Sequence, residues 1–95
     1  MFIGVCALRL HLPGSDSLKA KRGLLKPLLA RLHREFNVSA AEIDGQDDWH
    51  SAEIGVAALG NDPAHVDRVL QRVVTWIENS RLDWQLVDYQ IEIVR

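Results

Sequence analysis

The 95-residue chain is poor in the features that assign a protein to a specialised class. Its single cysteine, Cys6, excludes an internal disulfide and fits a reducing cytoplasm, which we expect to be its location. The apolar N-terminal run is interrupted by Arg9 and His11, so it is too short for a membrane span and lacks the form of a signal peptide. The formal net charge of -2 excludes a globally basic field, so nucleic-acid binding would need a local patch.

The sequence also lacks the motifs of common enzyme classes. There is no Gly-x-Ser-x-Gly nucleophile, no P-loop and no dinucleotide fingerprint. The four histidines have no recognisable metal-ligand spacing. The acidic segment from Asp44 to His50 could hold a metal or act as acid and base, but Asp and Gly are ordinary turn residues. We therefore predict no catalytic residue, no metal and no cofactor.

What the chain does have is a clear alternation of strand and helix periodicities. Runs of period two predict strands, and apolar residues at helical spacing predict helices with Ser17 and Asp62 as N-caps. Pro27 stands inside the first helix, four residues after Gly23, and predicts a kinked helix rather than two helices. The predicted strands are 2–12, 36–44, 50–60 and 84–94, and the predicted helices are 18–35 and 63–80.

The resulting order β-α-β-β-α-β, with a short turn at 45–48, is typical of a ferredoxin-like sandwich. We predict one α+β domain over residues 1–95, with both helices on one face of a four-stranded antiparallel sheet.

The other face of this sheet is left open. The first strand is apolar on both sides from Ile3 to Ala7, and exposed apolar surface usually marks an interface. This predicts a homodimer or higher homo-oligomer; the alternative is that polar side chains such as Arg9 and Glu53 cover the face. The interface candidates are Ile3, Val5, Trp49 beside the turn, and Trp84 if it is exposed rather than packed at the edge of the core.

The first helix carries the main local excess of positive charge. All three lysines of the chain lie in it, and its only acidic residue is Glu35 at its end. Cations near a helix N-terminus oppose the macrodipole, which suggests a role for them. A purely solvated face is the commoner explanation for such a pattern. The candidates for phosphate contacts are Lys19, Lys21, Arg22 and Lys26, with His11 nearby.

Several segments together resemble one bacterial family, the YlxP-like family, also called the domain-of-unknown-function 503 family. The resemblance covers essentially the whole chain, although Ala20 and Gly23 depart from the residues common in the family. The matching segments are Leu10–Ser15, Ser17–Lys19, Lys21–Arg22, Phe36–Ser39, Ala41–Glu42, Asp44, Gln46–Asp47, Trp49 and Asn61–Asp62.

The resemblance implies a small ferredoxin-like protein of the cytoplasm, encoded near genes for translation initiation and ribosome maturation. It implies no established activity. Together with the basic helix it favours a non-enzymatic module that contacts RNA or a ribosomal component. The alternative is a protein-interaction or oligomerisation module that acts through the open sheet face without nucleic acid, and neither hypothesis requires a membrane.

Overall fold

The computed structural model describes residues 1–45, 47–80 and 84–95. Within them the chain forms four strands and two helices in the predicted order. The elements are β1 (Phe2–His11), α1 (Leu18–Glu35), β2 (Ser39–Asp44), β3 (Ser51–Gly60), α2 (Pro63–Asn79) and β4 (Gln85–Val94). The strands form one sheet in the order β2-β3-β1-β4, with every neighbouring pair antiparallel. The predicted ferredoxin-like α+β fold is confirmed.

Both predicted helix starts are confirmed by their capping contacts. The Ser17 side chain accepts a hydrogen bond from the Ala20 N–H at 3.0 Å, and the Asp62 side chain accepts one from the Ala64 N–H at 3.1 Å. These contacts satisfy backbone donors that the first turn of a helix leaves without a partner. Helix α1 continues through Pro27, which is exposed, so the prediction of one helix rather than two is confirmed, while the kink stays a prediction.

The largest boundary error concerns β2, which begins at Ser39 rather than at residue 36. Phe36 instead caps α1, because its N–H donates to the Leu32 carbonyl at 3.1 Å. Its ring meets Trp76 of α2 edge-on, with the ring centroids 6.2 Å apart. The aromatic apolar character that suggested a strand therefore belongs to packing between the helices. Gln46, part of the predicted turn, lies outside the described residues.

The core lies between the two helices and one face of the sheet. The side chains of β1 and β3 alternate between the two faces, and the even-numbered residues from Gly4 to Leu10 and from Ala52 to Ala58 are buried on the helix side. The buried apolar residues are Cys6, Leu8, Leu10, Leu12, Leu25, Leu28, Leu32, Ala52, Ile54, Val56, Ala58, Val66, Leu70, Val73, Val74, Ile77 and Trp84. The odd-numbered residues of both strands form the opposite side of the sheet, which neither α1 nor α2 covers.

Strand β4 alternates less simply than its sequence suggests. Its register with β1 shifts between Arg9 and Leu10, where the chain forms a β-bulge or similar irregularity. The period-two spacing of β4 groups Val87 with Tyr89, Ile91 and Ile93 on one apolar face, but Val87 is 60% exposed. Because a one-residue irregularity reverses the direction of the side chains that follow it, Val87 separates from the residues with which its spacing grouped it.

Candidate functional site

A row of exposed cations follows one flank of α1. Lys19, Arg22 and Lys26 are all exposed, and a rotation of 100° per residue places them within about 60° of one another around the helix. The first turn of α1 contains no acidic residue. Among the residues that the structure describes, none of the three takes part in an ion pair. The structure therefore leaves this part of the predicted patch open to a ligand.

Lys21 does not belong to this exposed row, and its prediction as a phosphate contact is wrong. Only 2% of the residue is exposed, because it falls in the buried row of α1 that continues with Leu25, Leu28 and Leu32. Its ammonium group lies 2.8 Å from the Glu42 carboxylate. A cation that is buried and already paired cannot reach a phosphate group in solvent.

The buried ammonium group of Lys21 fastens the segment after β2 to the first helix. Its Nζ donates a hydrogen bond to the Gly45 carbonyl and another, at 2.8 Å, to the Asp48 carbonyl. Glu42 faces the helix side of β2, opposite Ile54. Its Oε2 atom has no hydrogen-bond partner among the described residues, so its contact with Lys21 is mainly Coulombic. Lys21 is thus a structural cation.

The same segment is ordered by its own turn residues. Gly45 has φ of +80°, a left-handed conformation that favours glycine. The two oxygens of the Asp48 carboxylate accept hydrogen bonds from the His50 N–H at 2.9 Å and from Ser51 Oγ at 2.7 Å. These bonds, the one from Ser51 foremost, hold the pKa of Asp48 below its ordinary value. The carboxylate is therefore already used within the turn.

The predicted contacts His11 and Trp49 lie at this end of the molecule. His11 is exposed, and its Nδ1 donates to the His50 carbonyl at 3.1 Å, which leaves the rest of the ring accessible. Trp49 is 48% exposed and lines a surface pocket of about 630 Å³ with Asp44 and Asp47 among its walls. Phosphate groups are repelled by such carboxylates, so this acidic pocket does not favour a phosphate ligand.

The open side of the sheet presents a second candidate surface. Val5 is 40% exposed and Ile3 is partly buried, and both point to this side. A groove of about 390 Å³ runs beside Val5, floored by small residues of β3 and walled by Ile43 of β2. Ile43 and Leu59, at 51% and 67% exposure, extend the apolar surface and were not among the predicted interface residues. The period-two alternation of β3 already indicated that Leu59 lies on the open side of the sheet.

Trp84 is not part of that surface, and its prediction as an interface residue is wrong. It is 6% exposed, and its indole N–H points toward the Ile77 carbonyl at 3.4 Å. The same tryptophan was predicted to pack at the edge of the core if it was not exposed, which is where the structure places it. Its ring closes the core against α2 immediately before β4 begins.

The remaining reactive groups are enclosed or dispersed. Cys6 is buried, and desolvation raises the pKa of its thiol to about 11. Within residues 1–45, 47–80 and 84–95, no three His, Cys, Asp or Glu side chains are grouped as metal ligands. In the same residues, neither helix has the length and apolar character required to cross a membrane.

Two comparisons relate the chain to known proteins. The model of a family described as "Protein of unknown function (DUF503)" matches residues 3–91. A curated relative, "Uncharacterized protein YlxP" of Bacillus subtilis (strain 168), is 40% identical over 65 residues, which are 68% of this chain and 71% of the relative. Neither description contains an activity that could be transferred.

Proposed function

Because the chain belongs to the DUF503 family, whose function is unknown, we propose from its own surface that it is a non-enzymatic RNA-binding module. The observation that carries this proposal is the exposed row Lys19, Arg22 and Lys26 on α1. RNA offers the matching chemistry, a series of phosphates at regular spacing. The proposal includes a cytoplasmic setting and a ribosomal RNA target.

The length of the row suits a short stretch of nucleic-acid backbone. Seven residues separate Lys19 from Lys26, or about 10 Å of helix at 1.5 Å per residue. The row is therefore long enough for its three cations to contact different phosphates of one RNA strand. Since each of the three cations can neutralise one phosphate, binding is expected to be modest and strongly dependent on salt.

The open sheet face does not provide the alternative RNA-binding surface of this fold. Sheets that bind single-stranded RNA present aromatic side chains on which bases stack. The odd-numbered positions of β1 and β3 carry no phenylalanine, tyrosine or tryptophan, and the one imidazole among them, at the end of β1, is bonded to the His50 carbonyl. These positions are Ile3, Val5, Ala7, Arg9 and His11 in β1, and Ser51, Glu53, Gly55, Ala57 and Leu59 in β3. This supports assigning RNA to the helix and leaves the sheet face for a different partner.

The test is a charge reversal with a matched control. Arg22→Glu combined with Lys26→Glu changes the net charge by -4, and so does Arg68→Glu combined with Arg72→Glu on the exposed side of α2. We expect the α1 pair to weaken binding of ribosomal RNA at least about tenfold at low salt, and the α2 pair to have little effect. Fluorescence anisotropy measures both affinities.

The salt dependence gives a second readout. Three phosphate contacts with single-stranded RNA predict a slope of log K against log salt of about -2, which is about a 20-fold loss of affinity between about 50 and about 200 mM salt. The α1 double variant should have a slope nearer -0.7, for about one remaining contact. Equal losses in the two double variants would mean that only net charge matters, and the proposed patch would be wrong.

A further inference from the structure

We propose that the open side of the sheet binds a second copy of this chain, face to face, about a two-fold axis close to the strand direction and between β1 and β3. The inference is independent of RNA binding, because the basic flank of α1 lies on the helix side of the sheet. It rests on the chemistry of the open face, on its size and on the way its two central strands complement each other.

The chemistry of the face favours a folded protein over other occupants. Its centre is apolar and built from small side chains, Ala7, Gly55 and Ala57, beside the larger Val5 and Ile43. Charged groups border it along β4 and at one end, where Arg9 and Asp88 form an exposed ion pair. A small apolar centre with a polar border resembles the core and rim of protein interfaces, whereas a lipid surface would meet these charges unfavourably.

The size of the face is sufficient for a modest dimer. Strands β1, β3 and β4 have ten residues and extend about 33 Å, whereas β2 has six and extends about 20 Å. The four strands side by side span about 15 Å between the outermost backbones. Such a face covers about 500 Å², so two copies in contact remove on the order of 1,000 Å² from water. This is the lower limit for specific interfaces, and it predicts association in the micromolar range rather than a permanent dimer.

At the middle of the face, the two central strands complement each other in side-chain size. An axis along the strands between β1 and β3 places each residue of β1 opposite its own antiparallel neighbour from β3, now in the other copy. The register pairs are Val5 with Ala57 and Ala7 with Gly55. Each pair sets a larger side chain against a smaller one, which allows two sheets about 10 Å apart to interdigitate.

The same axis also matches charge at the polar end of the face. Arg9 is the register partner of Glu53, so the axis brings the Arg9 guanidinium of one copy over the Glu53 carboxylate of the other, twice per dimer. Arg9 already bonds Asp88 of its own chain at 2.8 and 2.5 Å, but a guanidinium carries five donors and can bind a second acceptor. A second copy is therefore the occupant whose charges and shape this face fits.

The first experiment measures self-association by analytical ultracentrifugation from about 1 to about 500 µM chain. We expect a reversible dimer in the wild type. Ala57→Arg should raise the dissociation constant at least about tenfold, because it puts a charge in the centre of the contact. Ala30→Arg, on the exposed side of α1, should not change it. A wild type that stays monomeric throughout, or an equal response of the two variants, overturns the proposal.

A charge swap tests the axis itself and does not depend on the Ala57 variant remaining folded. Arg9→Glu places two Glu–Glu contacts in a homodimer, and Glu53→Arg places two Arg–Arg contacts in its own. Each variant alone should associate at least about fivefold more weakly than wild type. Mixing the two variants restores both opposite-charge contacts between the chains, so association should recover. The contacts within each variant chain are the same before and after mixing. Failure to recover on mixing overturns the proposed arrangement.

Discussion

The two sides of the sheet each carry a cation–carboxylate pair, and the two pairs have different consequences. On the helix side, Lys21 is 2% exposed and Glu42 is 22% exposed. On the open side, Arg9 and Asp88 have side chains that are 60% and 54% exposed. Water screens the Arg9–Asp88 pair but hardly reaches the Lys21–Glu42 pair. The two pairs have similar geometry, yet the Lys21 pair stabilises the fold, whereas the Arg9 pair mainly sets the charge pattern of the surface. Burial, rather than distance, decides the role of each cation.

The largest effect is expected for Lys21→Ala, which leaves Glu42 and the carbonyl groups of Gly45 and Asp48 without their cation. We expect the free energy of unfolding to fall by about 3 kcal/mol, measured by urea denaturation. Lys19→Ala, two residues away on the exposed flank, is the matched control and should change it by less than about 0.5 kcal/mol. If both variants lose the same stability, the contrast between buried and exposed cations fails.

A second prediction tests how tightly the helix side of the sheet is packed. A Cβ atom at Gly4 would lie 2.5 Å from Val66 Cγ1 and 2.7 Å from Leu70 Cδ1. Gly4→Ala should therefore cost about 1–3 kcal/mol through overpacking, measured by thermal or urea unfolding.

Gly23→Ala provides the matched control for this substitution. At Gly23, on the exposed side of α1, an added Cβ meets nothing within 4 Å. This variant should gain about 0.5–1 kcal/mol from helix propensity. Equal effects of the same sign in the two variants would contradict the close approach of α2 to β1.

The smallest effect is expected on the open side. The hydrogen bonds from Arg9 lower the pKa of Asp88, so the ionised carboxylate stabilises the fold above the unfolded pKa of about 3.9, and this contribution is lost as pH falls through the folded pKa. Asp88→Asn should show little change in melting temperature at pH 7, because both partners are exposed.

Acid titration separates the wild type from this variant. The small difference in melting temperature at neutral pH should disappear as the pH falls through the lowered folded-state pKa of Asp88, because the wild-type carboxylate is then protonated as well. A difference that grows on acidification would show that the sign of the pKa shift is wrong.

The order of elements, both N-caps and most of the core could be predicted from sequence because they depend on local periodicity. The burial of Lys21 was also readable, since it continues the spacing of Leu25, Leu28 and Leu32, but its charge suggested solvent instead. The exposure of Val87 could not be predicted in this way. It results from a shift in the pairing register between β4 and β1, which are far apart in sequence. The alternation of residues within β4 does not reveal this shift.

The two candidate surfaces also differ in how far they could be predicted from the sequence. The exposed flank of α1 follows from helical geometry alone, so Lys19, Arg22 and Lys26 were found in the sequence. Ile43 was recognised as part of the open face only in the structure. It lies over Gly55 of the neighbouring strand, since a Cβ atom added at Gly55 would be 2.9 Å from Ile43 Cγ2. The sequence could show that the sheet has an open face, but not which residues of different strands meet on it.

The position of β1 in the middle of the sheet has a consequence for how the chain folds. Its two neighbours are β3 and β4, so the first strand pairs along one edge with the last. Closing that pair brings together segments from opposite ends of the described chain, which raises the contact order and slows folding relative to a helical bundle. During synthesis, β1 acquires its second neighbour only after residues 85–94 have emerged, so the sheet is completed at the last step.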